Sequence, residues 1–248
     1  MGLAGEAGLE KIDIGRVVGR GFEVIGRQIG PFLLLGLLLG GIPTALMSWL
    51  ALDSGGARGF GEPAYLSAWL VAIVAGFLLQ ATLVRSAILQ LGGRGPQVLP
   101  SLINAFRLLL PMIGLGICTW FLTAIGFALL IVPGVIVFII FIVSVPALVE
   151  EGGVLHAMGR SRELTRGSRR RIFVLLVLFV IAYLIAKGIT SAFGSALGGD
   201  LPVVEALAQG LSAALVAMLS AGMSASLYLE LRTAKEGATV DGLADIFA

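Results

Sequence analysis

The chain has 248 residues, of which 58% are hydrophobic and 13% charged, with a formal net charge of +2. Its mean hydropathy is +1.02, which excludes an ordinary water-soluble domain and points to a polytopic helical membrane protein. So small a net charge leaves no nucleic-acid footprint, and a lone cysteine, Cys118, excludes a disulfide framework and a cysteine metal site.

Charged residues gather in short clusters between long charge-free runs, the pattern of helices in lipid alternating with wet loops. The alternating ~10-residue segments of a membrane β-barrel do not occur. The opening residues lack a basic tip, an apolar core and a small-residue cleavage site, so the first apolar run is expected to stay as the insertion signal. Residues 1–10 are small and polar and are expected to fray. From Asp13 to Arg27, Ile14, Val17, Val18, Phe22 and Ile25 share one helical face, with Arg16, Arg20, Glu23 and Arg27 opposite. This predicts an N-terminal amphipathic helix over 13–27, capped by Asp13, lying in the headgroup plane or packed on the bundle.

Residues 30–52 form the first predicted span. It begins at Pro31, carries a small-residue face at Gly36 and Gly40, and is expected to kink at Pro43. A turn-rich loop from Asp53 to Pro63 follows. The second span covers 64–84 and is expected to end at Arg85, which can snorkel to the interface. After the break at Leu91–Pro96, a short linking helix is predicted from Val98 to Arg107. Residues 108–149 contain no charge; that is too long for one span and suits a hairpin of two at about 20 residues each, turning between Gly126 and Gly134.

The stretch Pro146–Arg171 is predicted to be an elbow helix on the cytoplasmic face. Span five covers 172–198, with Lys187 in its outer half and small residues at Gly194 and Gly198. Span six covers 203–231 and is rich in alanine and serine, which favours a central place in the bundle. The tail 232–248 is polar. Trp49, Tyr65 and Trp69 fall near the outer boundary, where an aromatic belt belongs. Lys and Arg collect before span one, between two and three, between four and five, and after six. The positive-inside bias therefore predicts both termini cytoplasmic, and the chain is expected to be a single membrane domain over 1–248 with a six-span all-α bundle over 30–231.

At the elbow the sequence resembles a family. Pro133-Gly134, then Pro146-Ala-Leu-Val-Glu150, then Ala157, Ser161, Leu164, Thr165 and Gly167 at their spacings, resemble the membrane domain of some glycerophosphodiester phosphodiesterases and of stand-alone bacterial proteins. The segment Leu227-Tyr-Leu-Glu-Leu-Arg232 and the amphipathic helix running into Pro31-Phe-Leu-Leu-Leu fit the same pattern. The resemblance covers nearly the whole chain and implies a six-helix inner-membrane protein. It implies no activity, because the phosphodiesterase chemistry of fused relatives belongs to a separate soluble barrel. One His and one Glu–Glu pair cannot build the metal cluster such chemistry needs.

The candidate site residues all lie in the elbow. Glu150 and Glu151 can contact a lipid headgroup or cation, form a salt bridge to Arg160 or Arg162, or simply be hydrated; Glu150 occupies the position that the resemblance singles out. Arg160, Arg162, Arg166, Arg169, Arg170 and Arg171 form a juxtamembrane polybasic segment suited to anionic headgroups, or serve only to fix topology. Ser161 has no general base beside it and reads as a packing or capping hydroxyl, His156 as a surface residue, and Cys118 as a small core residue. No cofactor or metal is expected. The sequence points to a non-enzymatic scaffold or accessory subunit that binds membrane lipids, another membrane protein or a second copy of itself, and no nucleic acid. The alternative is a transporter of lipid or small apolar molecules. An embedded enzyme would need ionisable residues converging at one depth, which the spans lack.

Overall fold

The computed structural model describes residues 12–53, 63–95, 97–197 and 201–236. They are helical, with no strand among them. The helices are α1 (Ile14–Arg27), α2 (Ile29–Leu35), a π-helical segment (Gly36–Gly41), α3 (Ile42–Asp53), α4 (Pro63–Leu91), α5 (Val98–Leu129), α6 (Ile131–Phe141), α7 (Ser144–Glu151), α8 (Val154–Thr165), α9 (Arg169–Ala196) and α10 (Pro202–Glu236). Six stretches are long and apolar enough to cross a membrane: Ile29–Ala51, Pro63–Leu91, Val98–Leu129, Ile131–Glu151, Arg169–Ala196 and Val203–Glu236.

Helix α10 is the axis of the bundle, packing on α1, the π-helical segment, α3, α4 and α9. Its small residues permit this. A Cβ on Gly210 would stand 2.6 Å from the carbonyl oxygen of Gly41, and one on Gly36 would stand 3.3 Å from that of Ala214. The expected pairing of Gly36 with Gly40 is corrected here. The π-helical segment adds a residue to the turn, so Gly41 and not Gly40 joins Gly36 on the α10 side, while Gly40 faces Leu79 of α4. Pro43 sits just past this segment and lacks the N–H that a regular α-helical ladder would use.

Helix α1 is capped by Asp13, whose carboxylate accepts from the Arg16 backbone N–H at 3.2 Å. Val17, Gly21 and Val24 are buried, and the Ser226 hydroxyl of α10 donates to the Val17 carbonyl at 2.8 Å. The amphipathic helix is thus packed on the bundle.

Several boundaries differ from expectation. Helix α4 continues through Arg85 to Leu91, and the linking helix from Val98 to Arg107 is the opening of α5, continuous past Pro111 to Leu129. Charge marks where a helix meets water, not where its hydrogen-bond ladder stops. The fourth span is α6 plus α7, interrupted at Ile142 and Val143; Pro146 cannot donate to residue 142 and its ring crowds that carbonyl. Helix α9 begins at Arg169, so the arginine triplet forms its first turn. The α5–α6 hairpin turns at Leu130, where a Cβ on Gly126 would stand 2.9 Å from the Gly134 Cα. The N-terminal segment expected to fray, the loop interior from 54 to 62, Gly198 and the tail from 237 on lie outside the described residues.

Only 11% of the apolar window of α5, and the same share of α9, is buried. Ile117, Trp120, Phe121, Ile181 and Ile185 accordingly point outward. Faces this apolar suit hydrocarbon and not water.

Candidate functional site

The elbow is set by backbone conformation. Gly152 and Gly153 have φ of +71° and +72°, in the left-handed region, and turn the chain from α7 into α8. Gly167, at φ +89°, turns it again into α9. Helix α8 buries Ala157, Ser161, Leu164 and Thr165, the i, i+4, i+7, i+8 stripe of one helical face. Leu155, on the opposite side, is 80% exposed. The fully buried Ser161 hydroxyl donates to the Ile140 carbonyl at 2.6 Å, just before the α6–α7 interruption. Ser161 therefore fastens α8 onto the broken span.

The acidic anchor is Glu151 and not Glu150. Arg160 Nε donates to Glu151 Oε1 at 2.9 Å, the Tyr228 hydroxyl donates to the same oxygen at 2.8 Å, and His156 Nδ1 lies 3.6 Å from Oε2. Glu150 is exposed and has no ion pair among the described residues. Helix α7 buries Ser144 and Pro146 to Val149, on more than one face, and it is the approach of Arg160 and Tyr228 that selects Glu151 over its neighbour. Arg160 also pairs with Glu236 of α10, which accepts from Arg232 Nε at 2.9 Å. His156 itself is 66% exposed at its side chain.

The remaining elbow arginines divide. Arg171 Nη1 donates to the Ile12 carbonyl at 2.5 Å, joining the start of α9 to the start of α1. Arg169 is half-buried, and its buried Nε has no partner among the described residues. Arg162, Arg166 and Arg170 are exposed and form no ion pair among the described residues.

The sequence reading missed three clusters. Glu230, at the end of the sixth span, has a side chain only 5% exposed and pairs with Arg16 at 3.2 Å and Arg20 at 3.1 Å. The Asp13 backbone N–H adds a 3.4 Å bond to it. Buried Gln28 donates to Gln90 and accepts from the Ser86 hydroxyl at 3.0 Å, tying the entrance of the first span to α4. Lys187 donates to Gln209 Oε1 at 2.6 Å, and Gln209 Nε2 donates to Glu205 at 2.8 Å. The amide thus links the lone lysine of α9 to a carboxylate. The α-helical spacing of Glu205 and Gln209 was the available signal.

Between α6, α9 and α10 lies a half-open cleft of about 220 Å³. Phe138, Leu175, Phe179 and Met223 line it, with Gln80, Ser220 and Ser224 as its polar groups. Among the described residues no three of His, Cys, Asp and Glu gather to hold a metal ion. No known protein family, curated protein or solved structure matches the chain.

Proposed function

We propose that this is a non-enzymatic six-span protein of the cell inner membrane, with both termini cytoplasmic, that serves as a scaffold or accessory subunit and engages anionic lipid headgroups through the outer edge of its elbow. The observation that carries this reading is the division among arginines. Arg16, Arg20, Arg160, Arg171 and Arg232 are consumed in internal contacts, while Arg162, Arg166 and Arg170 project from the same end of the bundle. A basic side chain near an anionic surface contributes about 1 kcal/mol. The likeness of the elbow to the membrane domain of glycerophosphodiester phosphodiesterases belongs to this proposal and brings no catalytic residue with it.

The test is lipid partition. The purified chain is reconstituted in nanodiscs of mixed phosphatidylcholine and phosphatidylglycerol, and the lipids it retains on transfer to detergent are measured by mass spectrometry. The variant Arg162→Ala, Arg166→Ala, Arg170→Ala should lose phosphatidylglycerol enrichment by up to roughly a hundredfold, the product of three such charges. Undiminished enrichment in that variant rejects the reading. A second reading, a carrier of lipid or small apolar molecules, is supported by the half-open cleft lined by α6, α9 and α10.

A further inference from the structure

The hairpin of α4 and α5 carries positive charge that nothing in the chain answers. Between Glu62 and Glu150 the sequence has no carboxylate, but it places Arg85 in α4, Arg94 in the connection and Arg107 in α5. None of these three side chains has a hydrogen bond or ion pair among the described residues. Arg94 and Arg107 are exposed, whereas Arg85 is half-buried and its Nε is sealed in the protein without an acceptor. No rotation of the side chain can satisfy it internally, because a guanidinium donates from every nitrogen and accepts at none.

Depth and surroundings define the missing partner. The Ser220 hydroxyl lies 3.3 Å from Gln80 Oε1, which sets α4 and α10 level at that point. Arg85 stands five residues past Gln80 and Glu230 ten past Ser220, rises of about 7.5 Å and about 15 Å. The Arg85 backbone is therefore about 7.5 Å to the core side of the ion pairs that Glu230 makes with α1. A charge rooted at that depth is costly unless it reaches a partner. Across the hairpin, Phe77 packs on Gly116, where a Cβ would stand 2.7 Å from the ring. Eight residues on from Phe77 is Arg85 and eight back from Gly116 is Leu108, so Arg107 lies at nearly the same depth. Two like charges at one level call for an anion, and the hairpin supplies none. Beside Arg107, Ile103, Phe106 and Leu110 are 54%, 59% and 79% exposed, a surface for acyl chains in a bilayer. The anion that fits here carries hydrocarbon, and a guanidinium fork matches two oxygens of a phosphate.

We infer that the α4–α5 hairpin binds the headgroup of an anionic phospholipid, with Arg85 holding the phosphate, Arg107 adding charge at the same depth, and acyl chains lying along Ile103, Phe106 and Leu110. The inference rests on the proposed bilayer setting. It adds a site on other helices and does not depend on the elbow arginines.

The full-length chain in phosphatidylcholine nanodiscs is photolabelled with phosphatidylglycerol bearing a diazirine in one acyl chain, and labelled peptides are mapped by mass spectrometry. Saturable labelling should concentrate on residues 103–110, and the matching phosphatidylcholine probe should label them no more than other lipid-facing segments. Arg85→Gln should weaken apparent affinity there roughly fivefold, the worth of one charge near an anionic headgroup. Should that variant not fold, Arg107→Gln, at an exposed position, carries the test with the same expected drop. Unlabelled phosphatidylglycerol should displace the probe, and inorganic phosphate should not. The triple elbow variant should label residues 103–110 like the parent, which separates failure here from failure of the elbow reading. Equal labelling by the two probes, undiminished affinity in the folded arginine variant, or displacement by inorganic phosphate overturns the inference.

Discussion

Glu150 and Glu151 are adjacent in sequence and separated by about 100° of helical rotation, which decides everything each one touches. Glu151 accepts from Arg160 and Tyr228; Glu150 faces outward. Glu151→Ala leaves the Tyr228 hydroxyl and one edge of the Arg160 guanidinium without their acceptor, which should cost about 1–3 kcal/mol. Glu150→Ala should change stability by no more than about 0.5 kcal/mol. Thermal unfolding of the two variants in mild detergent checks this, and equal midpoints would contradict the assignment. The choice was not legible, because α7 buries Ser144 and Pro146 to Val149, on more than one face, and only the arrival of Arg160 and Tyr228 singles out Glu151. Glu230 was not legible. Its neighbours Arg232, Lys235 and Glu236 make it look like part of a wet tail, and only the arrival of α1 explains why a carboxylate is buried there.

Among elements, close approach of α10 to the first span is the contact most sensitive to side-chain size. Gly210 meets Gly41 backbone to backbone, and a Cβ there would also stand 3.1 Å from the Ala45 Cβ. Gly210→Val should push the helices apart and cost about 1–3 kcal/mol, read as a lower unfolding midpoint and reduced accumulation in the membrane. Gly76→Ala on α4, where a Cβ meets nothing within 4 Å, is the control and should be neutral. The spans themselves were legible because an uninterrupted apolar run has few alternatives in lipid. Their ends were not. Arg85 and Arg107 lie inside helices that extend beyond the hydrocarbon, and the π-helical segment moved the glycine register by one residue without any distinctive composition.

For the whole molecule, the described starts of α1 and α9 and the end of α10 meet at one end of the bundle, through Ile12 with Arg171 and Arg16 with Glu230. Six crossings account for that arrangement. In the proposed topology this end is the cytoplasmic one, which is what the positive-inside bias predicts. In a Cys118→Ala background, a membrane-impermeant maleimide added to intact cells should label a cysteine placed at Gly56 and miss one placed at Ser168; the reverse pattern inverts the protein. Gly56 lies outside the described residues, so this experiment reports on a segment for which only the charge pattern speaks.

The pairing of α1 with Glu230 also fixes an order of events during biosynthesis. The ribosome delivers Arg16 and Arg20 long before Glu230 exists, so α1 must wait, adsorbed or loosely held, until α10 is threaded into place. Docking of α1 is then a completion signal. A nascent chain stalled before its final crossing keeps an amphipathic helix whose arginines lack the Glu230 carboxylate.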